Sequence, residues 1–457
     1  MAIGGPALKI VVIDDDPTGS QAVHSCPLLL GWDHRTLVAG LRDPSPLLFL
    51  LADTRAMAAA AAAARVREIC RALKPALAEA ELSRWLLVSR GDSTLRGHFP
   101  LEVEVINQEL GPFDATLLVP AFVEGGRTTV EGVHLLHGEP VHRSPFGRDA
   151  RFGYGTSFLP DWIEAKSGGR ILASEVGRIG LEELRPQRAM DLASRLEGLE
   201  GNRFLVVDAE RPEQLQVLGA AVRAVVAPPD RAVLPGPRPR RLLVQSAASL
   251  LKGLADLPPQ PLTPGALAAL RRGGAPGAVL VGSHVPLSDR QLEALLAEPT
   301  CAGVELPVAR LLAELRGRAH GPELELELAA AMALHHRAGR TPVLFTSRGE
   351  HPCRDKKELQ QLGLALAGLM ARVAVRLPDD LGYLISKGGT TTQALLSAGL
   401  ALGSVRLEGQ LMPGLSLLRL PADHPRFPSL PLLTFPGNLG ADDTLRQAWW
   451  AMDRGVC

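Results

Sequence analysis

A short β-branched run, Ile10-Val11-Val12-Ile13, leads directly into three consecutive carboxylates, Asp14-Asp15-Asp16, and then into Pro17-Thr18-Gly19. An apolar run of this length bounded by turn residues predicts a buried strand, with the acids at its carboxyl end. Neighbouring carboxylates repel one another, so stability alone gives little reason to gather three of them. In open α/β sheets the crevice beyond the carboxyl ends of the strands is where ligands bind. The segment therefore predicts a strand-end site, in which Asp15 and Asp16 accept hydrogen bonds from a hydroxylated ligand.

Strand-like and helix-like patterns then alternate. Residues 47–51, 85–89, 116–119 and 204–207 read as strands, and so do 278–281, 343–345, 384–385 and 432–433. The Ala-rich stretch 56–80 reads as helix despite Pro75, and another helix is expected from near Pro100. Alternation of this kind predicts an α/β fold: two doubly wound domains with mostly parallel sheets and a cleft between them. Proline density rises between residues 226 and 276, which reads as linker around one apolar segment, 242–254. The expected division is a first domain over 1–255, a Pro/Gly-rich linker over 256–277 and a second domain over 278–457.

Composition narrows the function. The 457 residues carry equal numbers of acidic and basic side chains and only two tyrosines. That balance argues against a nucleic-acid partner, which would call for a basic excess or stacking aromatics. No apolar run approaches the length of a membrane span, so no membrane partner is expected. The five cysteines are scattered, without zinc spacing, and no signal peptide is visible; a reduced cytoplasmic location is expected.

Several predicted strand ends in the first half carry groups suited to a small acidic ligand. Arg55 can clamp a carboxylate in bidentate fashion. The loop Arg90-Gly91-Asp92-Ser93-Thr94-Leu95-Arg96 combines guanidinium groups, hydroxyls, a carboxylate and a glycine that lets backbone approach a ligand. Each segment alone is equally well an Asx turn with surface ion pairs. Their recurrence at successive strand ends favours a site. Gly125-Gly126-Arg127-Thr128-Thr129 offers backbone N–H groups and Arg127 to an anion. Beyond it, His134, His137 and His142 fall in a predicted hairpin around His137-Gly138-Glu139-Pro140, whose alternation explains them without a metal; no metal ligands are expected.

In the second half three glycine turns follow predicted strands: Gly282-Ser283, Gly388-Gly389-Thr390-Thr391-Thr392 and Gly437-Asn438-Leu439-Gly440. Glycines open the backbone, hydroxyls bond phosphate oxygens, and a following helix points its positive end at an anion. Together they predict nucleotide phosphate binding. There is no Gly-x-x-x-x-Gly-Lys-[Ser/Thr] loop, no protein-kinase catalytic segment and no Gly-x-Ser-x-Gly elbow.

In their order along the chain these motifs resemble those of the four-carbon acid sugar kinases. The matching segments are Asp15-Asp16-Pro17-Thr18-Gly19, Asp92 through Gly97, Gly126 through Thr129, and the three glycine turns. The resemblance implies ATP-dependent phosphorylation of a threonate, an erythronate or an oxo derivative, with Mg²⁺ accompanying the nucleotide. It implies acid-sugar binding by Asp15, Arg55, Arg90, Gly91, Asp92 and Ser93; Asp16 and Arg127 join these as candidates from their own chemistry, and Asp15 or Asp92 is expected as catalytic base. It implies ATP binding by Ser283, Gly388, Gly389, Thr390, Thr391 and Gly437, and Asn438 joins them as a candidate from its place in the third glycine turn. A homodimer is compatible with an enzyme of this type. The chain departs from the family pattern at Pro17, Arg90 and Thr390, where leucine, lysine and an acid are common. Two other readings compete: a catalytically silent regulatory protein that keeps both sites, and a metal-dependent hydrolase built on Asp14–Asp16 and nearby histidines.

Overall fold

The computed structural model describes residues 8–16, 23–228, 238–317, 323–349 and 353–454. The turn Pro17-Thr18-Gly19 lies outside them. The chain divides into two compact units, Met1–Pro259 and Gln260–Cys457.

The first unit holds strands β1 (Lys9–Asp14), β2 (Cys26–Leu29), β3 (Leu47–Leu51), β4 (Trp85–Arg90) and β5 (Ala115–Val119). A small ribbon follows, β6 (Arg127–Val130), β7 (Val133–Leu136) and β8 (Glu139–Pro140), then β9 (Gly177–Ile179), β10 (Arg203–Val207) and β11 (Leu242–Ser246). The main strands run in the order β2-β3-β1-β4-β11-β5-β10-β9, and every pairing is parallel. Strands β1 and β3 are buried along their whole length, as expected where helices cover both faces of a parallel sheet. This is why they read as unbroken apolar runs and not as alternating ones. The 21-residue helix Ala59–Glu79 tolerates Pro75 near its end; its buried side chains Val66, Ile69, Cys70 and Leu73 join the core on that face.

One expectation needs correction. The apolar segment placed within a proline-rich linker is the central strand β11, between β4 and β5, followed by the helix Ala248–Ala255. Prolines punctuate the chain around it, but five consecutive buried residues supply an inner strand. The predicted turn at His137-Gly138 joins β7 to β8. A second turn, Glu131-Gly132, joins β6 to β7, and all four turn residues have positive φ. Such turns match the twist of a two-residue hairpin.

The second unit holds β12 (Ala278–Val281), β13 (Cys301–Leu306), β14 (Thr341–Thr346), β15 (Leu384–Lys387), β16 (Ser404–Met412), β17 (Leu415–Arg419) and β18 (Pro431–Phe435). Their order is β13-β14-β12-β15-β18-β17-β16, parallel up to β18 and antiparallel thereafter. The two units share one winding pattern. In each, the first strand is flanked by the third and the fourth, so the chain leaves to one side, returns and crosses to the other. The crevices beside β1/β4 and β12/β15 are therefore topological switch points, the places where α/β sheets hold ligands. No helix among the described residues is long and apolar enough to cross a membrane.

Candidate functional site

In the first unit, register across the sheet assembles the polar groups. Asp14 pairs with Arg90, and Arg90 with Ser246, so these residues end their strands side by side. Arg90 donates from Nη1 to Asp14 (3.3 Å) and to Asp15 (3.1 Å). Arg55 grips Asp15 with Nε and Nη2 (2.9 and 2.6 Å) and reaches Asp16 with Nη1 (3.0 Å). Asp14, Asp15 and Arg90 are almost wholly buried. Two guanidinium groups thus offset the mutual repulsion of three acids, by the bidentate geometry that suits arginine better than lysine.

Arg55 is held from behind. It sits in the turn Thr54–Ala56, which begins with Asp53 in the left-handed conformation, and its backbone N–H donates to the Asp15 carbonyl. His98 donates from Nε2 to the carbonyls of Thr54 and Met57, and the Thr54 hydroxyl donates to buried Glu102. Burial pushes Glu102 up to about 7, and Asp15 adds to the effect. Burial likewise raises Asp14 to about 7, against the pull of Arg90, and raises Asp53 to about 7, with Asp16 and Asp15 adding. For Arg55 and Arg90 burial acts against the charge, but the surrounding carboxylates outweigh it and hold both firmly protonated.

The loop after β4 brings a fourth acid. Burial opposes the charge on Asp92, yet Arg55 and Arg96 overcome it and hold the carboxyl well below the usual range. Arg96 donates to Asp92 at 2.7 Å and the Thr94 hydroxyl also donates to it. Gly91 donates its N–H to the Ser246 carbonyl, tying the loop to β11. The Ser93 carbonyl accepts from Nε2 of His134 (2.8 Å), and Nδ1 of that ring meets the Thr129 hydroxyl (2.9 Å). Burial depresses His134 to about 4, so it stays neutral and fixes the loop with one donor and one acceptor. Arg127 bonds the Gly125 carbonyl and feels the charge of Asp92, without a direct bond to the acids. A pocket opens here, lined by Asp15, Gly91, Asp92, Glu102 and Gln245 among others.

In the second unit, Val281, Lys387 and Phe435 stand in register on neighbouring strands, so the three glycine turns start side by side. The Gly282 and Gly388 N–H groups donate to the Lys387 and Phe435 carbonyls. Side chains are excluded at close quarters. A Cβ on Gly282 would lie 1.9 Å from the Thr391 hydroxyl, one on Gly437 2.7 Å from the Ser283 hydroxyl, and Gly388 has a φ of +117°. The Ser288 hydroxyl donates to the Gly437 carbonyl and meets that of Ser283, each at 2.9 Å. Gly389 and Thr390 begin the short helix Gly389–Ala394, with Thr390 exposed, and Asn438 lies exposed in its turn.

Lys387 ends β15 directly before the second glycine turn. Its ammonium is fully buried, 3.2 Å from the carbonyls of both Pro436 and Gly437 and 4.0 Å above the Phe435 ring. Burial, helped by Arg348, lowers it to about 7. Glu102 belongs to no motif, His134 reads only as part of the hairpin, and Arg96 reads only as one guanidinium of its loop. A lone histidine, arginine or glutamate in sequence carries no sign of its partners; only the fold brings them to the acids.

Comparison with known proteins agrees with this division. Residues 10–241 match the model of a sugar-binding N-terminal domain, and residues 278–445 that of a nucleotide-binding C-terminal domain. The chain belongs to the four-carbon acid sugar kinase family. It is 31% identical over 376 residues to a D-threonate kinase of Cupriavidus necator, covering 80% of each chain. It is 26% identical over 461 residues to a D-erythronate kinase of Heliobacterium modesticaldum, covering 95% of each. In fold it is similar to protein HI1011 of Haemophilus influenzae (TM-score 0.62, 17% identity), over 97% of this chain and 100% of the other.

Proposed function

We propose that this kinase transfers the terminal phosphoryl group of ATP to a hydroxyl of a four-carbon sugar acid, of the threonate or erythronate type or an oxo derivative. The observation that carries the reading is the ladder Asp14–Arg90–Asp15–Arg55–Asp16 at the switch point of the sugar-binding unit. A ligand that is both anionic and hydroxylated matches such alternating charge, with guanidinium groups for its carboxylate and carboxylates for its hydroxyls. Because Arg55 and Arg90 already bond their own acids, an incoming carboxylate shares them and does not meet them bare.

Phosphoryl transfer asks for positioning and charge neutralisation more than for covalent chemistry. Asp15 and Asp92 are the acceptors for the attacking hydroxyl. The carboxyl of Asp92, held far below the usual range, is a weak proton acceptor and suits orientation. In the nucleotide-binding unit, Gly282, Gly388 and Gly437 let the three turns pack closely against Ser283 and Thr391, whose hydroxyls are offered to phosphate oxygens. That donor set, backbone N–H and hydroxyl without a carboxylate, fits phosphate and not a bare cation. Mg²⁺ would accordingly arrive with the nucleotide and supply charge neutralisation there.

The test is ADP release from Mg-ATP with a panel of four-carbon sugar acids and neutral sugars as controls. Turnover with an acid and none with neutral sugars is expected; ATP binding with no acid turned over would favour the silent regulatory reading. Asp92→Asn is expected to lower kcat at least tenfold with the fold intact. Near-normal turnover would remove Asp92 from the reacting group.

A further inference from the structure

Gln245 lies at the end of β11, in the segment that reads as linker, and no motif includes it. Its side chain is 8% exposed and lines the pocket that Asp15, Gly91 and Asp92 also line. Its Oε1 is buried without a hydrogen-bond partner among the described residues. The other end of the amide, Nε2, lies over Gly91: a Cβ there would stand 3.4 Å from it. Gly91 has no side chain to cover the amide, so that position stays narrow but open. A buried amide oxygen left unpaired costs on the order of 1–3 kcal/mol. The great majority of buried side-chain polar atoms are paired, so an exception at a ligand pocket asks for a partner.

We infer that Gln245 is a specificity-determining residue of the sugar-acid site, its amide oxygen accepting a hydrogen bond from one hydroxyl of the four-carbon acid. This rests on the proposed sugar-acid kinase reading and names a contact within it. The register supports the placement. Gln245 pairs with Ser89 and Leu118, and the latter lines the same pocket, so the amide faces the cavity alongside it. The ligand hydroxyl would supply the donor that the protein leaves out. A site built to bond a hydroxyl discriminates strongly against an analogue lacking it, because the buried acceptor then stays unpaired.

The experiment compares the unaltered chain with Gln245→Met, a change close in volume, using the best acid of the panel and its deoxy analogues. Three readouts are taken: KM for the acid, KM for ATP, and thermal midpoint without ligand. The variant is expected to raise KM for the acid about tenfold or more and to leave KM for ATP unchanged. Its midpoint should stay level or rise, because an unpaired buried polar atom is removed. One deoxy analogue, poor with the unaltered chain, should be used equally well by both. Unchanged KM and unchanged discrimination, with turnover intact, would overturn the inference alone, and so would a variant that merely unfolds at lower temperature. If the unaltered chain neither binds nor turns over any acid, the sugar-acid reading falls and this inference with it. Gln245→Glu is the second variant: a carboxylate beside Asp15 and Asp92 should repel the anionic substrate and weaken its binding further than methionine does.

Discussion

Lys387→Met gives the sharpest physical test of the nucleotide-binding unit. The lysine is buried beneath the glycine turns, with its proton affinity lowered from 10.5 to about 7 by burial and by Arg348. An unfolded lysine keeps its proton up to about pH 10.4, whereas the folded one releases it above about pH 7. Between those values the unfolded chain binds more protons, so raising the pH favours the folded state. The slope is at most about 1.4 kcal/mol per pH unit. Over the difference of 10.5 − 7 = 3.5 units, the upper bound is about 5 kcal/mol. Below pH 7 the penalty is complete; above pH 10.5 it is gone. Methionine removes this linkage. It also removes the bonds to the Pro436 and Gly437 carbonyls, which costs on the order of 1–3 kcal/mol at any pH. The diagnostic is therefore the pH dependence of the difference and not its value at one pH. Urea unfolding can be followed by Trp449 and Trp450, both in this unit, at intervals from pH 7 to 10. The unaltered chain should gain stability over the variant as the pH rises, while groups common to both proteins cancel. Parallel curves across that range would refute the argument that burial sets the charge of Lys387.

The remaining predictions concern the other features of the two switch points. Gly282→Ala places a methyl 1.9 Å from the Thr391 hydroxyl, so the turn must shift; KM for ATP should rise tenfold or more while equilibrium binding of the acid is kept. Asp14 has the opposite linkage to Lys387: its folded value of about 7 exceeds the ordinary 3.8, so its contribution is complete below about pH 4 and is lost as the pH rises through 7. Asp14→Asn should flatten that part of the stability curve, and an unchanged slope between pH 4 and 7 would show that Arg90 keeps Asp14 ionised throughout.

How legible this was from sequence depends on whether a feature is local. Parallel strands such as β1 and β3 announce themselves because both faces are buried and the run is continuously apolar. The carboxylates at the end of β1 and the glycines after β12, β15 and β18 sit where the chain must turn, so composition and position coincide. Strand β16 carries an alternating signature in Val405, Leu407 and Leu411, but bulges and Gly409 break it, and its pairing with β17 escapes a reading tuned to βα units. β11 was hidden by its proline-rich surroundings. His134, Glu102 and Lys387 could not be read locally, because each acts through a partner distant in sequence: Ser93, Thr54, and the Pro436–Gly437 turn.

On the proposed reading, each unit holds an anionic ligand at a strand end, and the two do so with different electrostatics. The sugar-binding unit concentrates ionisable side chains: three acids at the end of β1, with Asp14 raised to about 7, and two arginines that bind them. Truncating one member of such a buried network strands its partners, typically at a cost of about 3–5 kcal/mol. The nucleotide-binding unit has no such ladder of acids at its turns; Arg348 bonds the Ser283 carbonyl (2.8 Å) and pairs with Asp289 (3.0 Å). It removes side chains, offers backbone N–H groups and hydroxyls, and keeps Lys387 buried under the turns, bonded to carbonyls. Phosphates bring their own charge and their own cation, so such a site needs room and dipoles more than counter-charges. The departure at Thr390, where an acid is common in the family pattern, fits the proposed reading: an exposed hydroxyl in place of a carboxylate leaves the glycine turn without an acid, so phosphate oxygens would meet N–H groups there without repulsion.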